Sequence, residues 1–289
     1  MDFLDVGLAA FDLDGTMLNR QSQMSEGNKE ACRALQAQGC KLLLATGRTY
    51  LSASMACDQY PFDGYVCSNG AAIYEADGTL IQSVNLPPDI VTDAVDMIKQ
   101  RTIYYEVHDT LSNRWMIQED RARVEQELLP QEDKHGAFSL RNYSFHKLTK
   151  VIEQEELFRK IRSGENQIVK VFYWHPDPAE ILWVREQLAP LGERIHLTSS
   201  GSRNVELVAP GVNKWQGLQH FTRRWGITAE RIAAFGDAAN DTDILSQVGV
   251  SVAMGNASDE IKQLTRYTTR SHEEDGVAHF IRERLWKNI

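Results

Sequence analysis

Apolar residues in this chain follow two rhythms. Residues 8–11, 41–45 and 64–68 are short apolar runs closed by turn residues, too short for helices, and they read as buried strands. Between the first two, Ala31, Ala34 and Leu35 recur at helical spacing, with Ser25 placed as an N-cap and Gly39 where a helix C-terminus favours glycine. A second helix runs to about Asp58. The same alternation resumes at Gly211: Trp215, Leu218, Phe221 and Trp225 mark a helix, and residues 232–235 a buried strand. A helix to Val248, a strand over 250–254 and a terminal helix from Gly276 complete it. Strand, helix, strand in this order predicts an α/β fold built on a doubly wound parallel sheet.

The middle of the chain has a different order. Asp77-Gly78 between alternating apolar residues predicts a hairpin turn, and Leu86-Pro87-Pro88 reads as a linker. Beyond it the pattern predicts a helix over 89–100, a hairpin of 103–108 with 114–117, and a helix over 153–162. A strand over 168–174, a helix over 178–188 and strands over 194–198 and 204–208 follow. Adjacent strands with interspersed helices predict an α+β domain with an antiparallel or mixed sheet. The expected organisation is a core of residues 1–85 and 210–289 interrupted by an inserted domain, 86–209.

With 289 residues, 42% apolar and 25% charged, the chain has room for two globular domains. A net charge of -9 argues against a dedicated nucleic-acid partner, because no basic surface is available for counterion release. No apolar run approaches the ~18 residues of a membrane span. Residues 1–5 carry two acids and no basic residue, unlike a secretory signal, so no membrane partner and a cytoplasmic location are expected. Cys32, Cys40, Cys57 and Cys67 never fall at C-x-x-C spacing and read as buried reduced thiols.

The candidate chemistry sits at strand ends. The first strand runs into Asp12-Leu13-Asp14-Gly15-Thr16, and ligands of open α/β sheets gather at the carboxyl edge. Two carboxylates this close call for a cation or a shared proton, although an Asx-type turn closing a strand uses the same residues. Thr46-Gly47-Arg48, Lys214 and the run Gly236-Asp237-Ala238-Ala239-Asn240-Asp241 stand at equivalent places. Taken singly, Thr46-Gly47 reads as a turn, Lys214 as a solvated first-turn lysine and Asp237 as a helix cap. Arg48 divides between a phosphate ligand and a surface ion pair. Trp115, Trp174 and Trp183 read as core more readily than as substrate platforms.

Together and in this order, the four stretches resemble the motifs of the haloacid dehalogenase superfamily. The insertion, with Asn69-Gly70-Ala71 and Val252-Ala253-Met254-Gly255-Asn256-Ala257, resembles the Cof-like branch with its type IIB cap. Thr242-Asp243-Ile244-Leu245 departs from that branch's methionine-leucine ending, which touches packing and not chemistry. The resemblance implies a Rossmann-like core and a Mg-dependent phosphatase of small phosphorylated metabolites, sugar phosphates foremost, working through an aspartyl-phosphate. It implies Asp12 as nucleophile and Asp14 as general acid, the latter with a pKa expected to rise beside another carboxylate. Leu13, Thr46, Gly47, Lys214 and Asn240 are implied as phosphate-binding residues. Asp12, Asp237 and the backbone carbonyl of Asp14 are implied as Mg ligands, with Asp241 behind them.

Selectivity is expected from the cap, where Arg114, Trp115, His146 and Lys147 are candidates. A sugar phosphomutase of the same superfamily and a non-catalytic, receiver-like phospho-ligand binder are the alternatives. A receiver domain is compact and unsplit, whereas a large insertion divides this core. Neither G-x-G-x-x-G nor a P-loop motif is present. The sequence assigns no oligomeric state.

Overall fold

Three parallel strands, β1 (Leu8–Phe11), β2 (Lys41–Ala45) and β3 (Gly64–Cys67), form the centre of an eight-stranded sheet. Their side chains are nearly all buried, as continuous apolar runs in a sheet covered on both faces require. Helices α1 (Glu26–Ala37) and α2 (Tyr50–Ala56) connect them. The Ser25 hydroxyl accepts the Asn28 N–H at the start of α1, as the sequence pattern predicts. The antiparallel β4 (Ala72–Glu75) and then β5 (Leu80–Ser83) extend the sheet on one side. The coordinates are a computed structural model that describes residues 3–128 and 148–286.

They divide into two units, Met1–Gln82 with Val212–Ile289, and Ser83–Gly211. In the second unit, α3 (Pro88–Asp96), β6 (Tyr104–Asp109), β7 (Arg114–Ile117), α4 (Gln118–Arg123) and β8 (Thr149–Ile152) come first. Next are α5 (Gln154–Arg162), β9 (Ile168–Trp174), α6 (Pro178–Leu188), β10 (His196–Thr198) and β11 (Asn204–Val208). The sheet order is β10-β11-β9-β6-β7-β8, antiparallel except for the parallel pair of β7 and β8. The helix predicted over 89–100 ends at Asp96, because the Lys99 and Arg101 N–H groups bond three residues back and tighten the chain into turns. The strand predicted from 194 starts at His196, because Ala189–Arg194 winds as a 3-10 segment. Trp174 is buried, Trp183 lies under the Arg101 guanidinium, and Trp115 donates its indole N–H to Asp109. His146 and Lys147 lie outside the described residues.

The two faces of this sheet differ in character. Tyr105, Val107, Val171, Tyr173, Val205 and Leu207 share one face by register, and the Tyr173 hydroxyl donates to the Ala94 carbonyl of α3. On the other face Glu106 accepts from Tyr104, from the Thr149 hydroxyl at 3.1 Å and from His108 Nε2 at 2.6 Å, while Arg114 lies 3.5 Å away. Lys170 pairs with Glu206 at 3.1 Å on the same face. Burial alone would raise the Glu106 pKa, but Arg114 and then His108 outweigh it and hold the carboxyl well below its ordinary value.

Burial drives His108 the other way, down to about 4, against the pull of Glu106. Glu106 only accepts, so Nε2 carries the proton. A second proton would sit on the buried Nδ1, which has no hydrogen-bond partner. Between pH 6.5 and 4 the unfolded chain therefore binds a proton that the folded chain refuses, and stability falls as pH falls. The loss from this group is on the order of 3 kcal/mol across that window. Calorimetric unfolding of His108→Gln should show a flatter dependence from pH 6.5 to 4; an unchanged slope would mean that another group governs acid unfolding.

The first unit resumes with α7 (Lys214–Trp225), β12 (Ile232–Gly236), α8 (Thr242–Gln247), β13 (Val250–Ala253), α9 (Asp259–Leu264), β14 (Tyr267–Thr268) and α10 (Gly276–Phe280). Its sheet runs β14-β13-β12-β1-β2-β3-β4-β5. All four cysteines are free and buried, and burial pushes the Cys40 and Cys57 thiols up to about 12. Among the described residues no helix is long and apolar enough to cross a membrane.

Candidate active site

Strands β1 and β12 run in register, Ala10 against Ala234 and Phe11 against Phe235, while Leu44 of β2 faces Phe11 from the other side. All three strands therefore release the chain at one edge of the sheet. The Asp12 N–H still bonds the Phe235 carbonyl at 3.0 Å, and the chain then turns as the Leu13 carbonyl accepts from Thr16, Met17 and Leu18. Gly15 takes φ +78°, and a Cβ there would stand 2.3 Å from Asp237 Oδ2. Only glycine lets Asp237 lie against this turn. The Thr16 hydroxyl donates to Asp237 Oδ1 at 3.0 Å, which links the first strand's turn to the fourth motif.

Lys214 enters from the first turn of α7, whose N-cap Asn213 accepts the Gln216 N–H. Gly70 admits that helix end: a Cβ on it would meet the Asn213 carbonyl oxygen at 2.1 Å. The fully buried ammonium donates to Asp12 Oδ1 at 2.6 Å and to Asp241 Oδ1 at 2.7 Å. The other oxygen of Asp241 accepts the N–H groups of Asp237 and Ala238, so this carboxylate braces the loop as well as the lysine. Asp12, Asp237 and Asp241 each offer an oxygen, and these oxygens lie within 4.8 Å of one another.

Three carboxylates around one ammonium leave an excess of two negative charges. Burial is the main force raising the Asp12 pKa, opposed by Lys214 and reinforced by Asp241 and Asp237. Burial and then Asp241 push Asp237 up to about 7, against the Thr16 hydrogen bond. Burial would lower the Lys214 pKa, but Asp12 and Asp241 overcome it and raise it. An all-oxygen donor set short of two positive charges fits a hard divalent cation. Asn240 Oδ1, one residue before Asp241, is buried and without a hydrogen-bond partner among the described residues.

Thr46 is buried at the end of β2, and its hydroxyl accepts the Arg48 N–H at 3.1 Å. Asp14 is gripped by Arg48, which donates Nε to Oδ2 at 2.8 Å and Nη2 to Oδ1 at 2.6 Å. Arg48 is 8% exposed and Asp14 47%, so the pair lies at the rim with the guanidinium inward. Asn240 donates to Asn69 Oδ1 at 3.2 Å, and Asn69 holds a left-handed φ of 59° in the turn after β3. The sequence pattern misses Thr16, Asn69 and Asn256 as site residues; all three follow strands whose carboxyl ends share this edge, which is the signal that could have found them.

A family model of haloacid dehalogenase-like hydrolases matches residues 9–281. The chain belongs to this family. It is 30% identical over 289 residues to Phosphatase YwpJ of Bacillus subtilis, spanning 96% of this chain and 99% of that one. It is also 30% identical over 284 residues to the B. subtilis 5-amino-6-(5-phospho-D-ribitylamino)uracil phosphatase YitU, spanning 96% of each chain. Among solved structures, a haloacid dehalogenase-like hydrolase from B. subtilis superposes with a TM-score of 0.82 at 27% identity, covering 97% of this chain and all of that one. The α/β core with its inserted strands and helices is thus the fold of this hydrolase family, and the chain is a phosphatase.

Proposed function

We propose that the chain hydrolyses small phosphorylated metabolites, sugar phosphates among them, through an aspartyl-phosphate on Asp12 with magnesium as cofactor. The observation that carries this reading is the buried Lys214 bridge between Asp12 and Asp241 beside Asp237, a site two positive charges short at the sheet's carboxyl edge. Asp12, Asp237 and the Asp14 carbonyl would hold the metal, with Asp241 behind them. Bound magnesium supplies the charge neutralisation that lets a carboxylate meet a phosphate dianion.

The chain's own groups do the rest. Lys214 fixes one oxygen of Asp12, which leaves the other to attack phosphorus. The N–H groups of Leu13 and Gly47, the Thr46 hydroxyl, the Asn240 amide and the Lys214 ammonium are the donors for the phosphoryl oxygens. Asp14 gives a proton to the leaving oxygen and later takes one from water. To do so it must leave Arg48, so the ion pair is a resting position for the acid. Selectivity among metabolites is assigned to the inserted unit, where Arg114 is locked beside Glu106, and Trp115 carries the Lys150 ammonium 5.4 Å from its ring centre. Four buried free thiols accord with a reducing, cytoplasmic setting.

Phosphate release from a panel of sugar phosphates and p-nitrophenyl phosphate, with and without magnesium, tests the reading. In Asp14→Asn, sugar phosphates should lose about 10²-fold or more in kcat, because an alkoxide departs poorly without a proton. p-Nitrophenyl phosphate, whose leaving group needs no acid, should lose much less. Equal losses would remove Asp14 from the acid role, and no magnesium-dependent release from any substrate would overturn the function.

A further inference from the structure

We propose that Asn256 is a positioning residue for Asp237, tying the turn that carries Asp12 to the carboxylate that completes the cation site. The inference rests on the reading of Asp12 and Asp237 as magnesium ligands. Asn256 follows β13, the strand next to β12, and its amide makes contacts to three segments. Oδ1 accepts the His272 N–H at 3.0 Å, while Nδ2 donates to the Gly15 carbonyl at 2.9 Å and stands 3.4 Å from Asp237 Oδ2.

The orientation of this amide is determined twice over. A backbone N–H only donates, so the atom facing His272 must be the oxygen. A backbone carbonyl only accepts, so the atom facing Gly15 must be the nitrogen. Both requirements put an N–H donor beside Asp237. The imidazole of His272 reinforces the arrangement, since Nδ1 lies 2.8 Å from the Leu18 carbonyl in the same turn. Asp237 is consequently held from two sides: Thr16 donates to Oδ1 and Asn256 approaches Oδ2. Without Asn256 the Oδ2 side is restrained, among the described residues, by the close fit against Gly15.

Asn256 is exposed and its partners Gly15, Asp237 and His272 are half-buried, so a substitution there strands no fully buried residue. Outer partners of metal-binding side chains act on metal affinity, typically by 10–100-fold. The 3.4 Å separation puts the expectation at the lower end of that range. Asn256→Leu, similar in size and without a donor, should raise the magnesium dissociation constant about tenfold in calorimetric titration with magnesium chloride alone. Its turnover of p-nitrophenyl phosphate should need correspondingly more magnesium to reach half of its own maximum.

Unchanged magnesium affinity, or a lowered unfolding temperature with reduced kcat at saturation, would overturn the positioning role. Asn256→Asp tests the orientation without any turnover. It sets a second acceptor against the Gly15 carbonyl and Asp237, so the magnesium-free protein should unfold at a lower temperature than the Asn256→Leu protein. The reverse order would overturn the assigned geometry. If the parent protein itself binds no magnesium, the metal-ligand reading fails and this inference with it; if the parent binds and Asn256→Leu binds equally well, only this inference fails.

Discussion

Asp12→Asn is expected to abolish phosphate release, with kcat falling on the order of 10⁴-fold or more, because the amide cannot form an acyl phosphate and the carboxylates beside it are held in other contacts. Asp241 Oδ1 is held by Lys214, and its other oxygen accepts two loop N–H groups. Asp237 is tied to Thr16. The loss should arrive without unfolding. An asparagine Oδ1 can still accept from the Lys214 ammonium, and the substitution removes a buried carboxylate whose pKa is raised first by burial and then by Asp241 and Asp237. The magnesium-free variant should therefore unfold at or above the temperature of the parent. Phosphate release at saturating substrate, with calorimetry on the same sample, checks both halves. Turnover near the parent's in a folded Asp12→Asn protein would end the nucleophile assignment.

Much of this arrangement was legible because it is local. The run into Asp12, the strand before Asp237 and the helix opening at Lys214 each announce themselves in a few residues, and parallel-sheet topology brings such ends to one edge. The contacts that give the residues their charge states are not local. Lys214 meets Asp12 across 202 positions, and nothing in either stretch says that the ammonium is shared with Asp241. In sequence Arg48 divides between two roles because a guanidinium beside a turn suits both, and only the fold shows it seated on Asp14. Asn69 and Asn256 carry no chemistry that sequence can rank, since their importance comes from what lies opposite. In the inserted unit, β8 carries no strand signal in sequence because its Lys150 and Val151 are exposed and break the alternation that marks a strand. The two-residue β14 is too short for any pattern.

Lys214→Met should be the most damaging substitution to the fold of the first unit and should also remove turnover. Methionine fills similar volume, so packing is largely kept and the charge is isolated as the variable. Two buried carboxylates then face each other without the ammonium that each now touches. Removing one partner of a buried ionic group generally costs about 3–5 kcal/mol, which corresponds to roughly 10 °C in the unfolding temperature of a domain this size. Burial already raises the Asp12 pKa, so the missing counter-charge favours a proton on Asp12. That proton limits the loss of stability but removes the nucleophile. The two effects separate in a double variant. Asp241→Asn added to Lys214→Met removes the second charge while the amide oxygen can still accept from the Asp237 and Ala238 N–H groups, the bonds Asp241 makes now. The double variant should regain a substantial part of the lost unfolding temperature and none of the lost turnover. If Lys214→Met unfolds with the parent, or if the double variant is no more stable than the single one, the ammonium is not the charge that holds this cluster together.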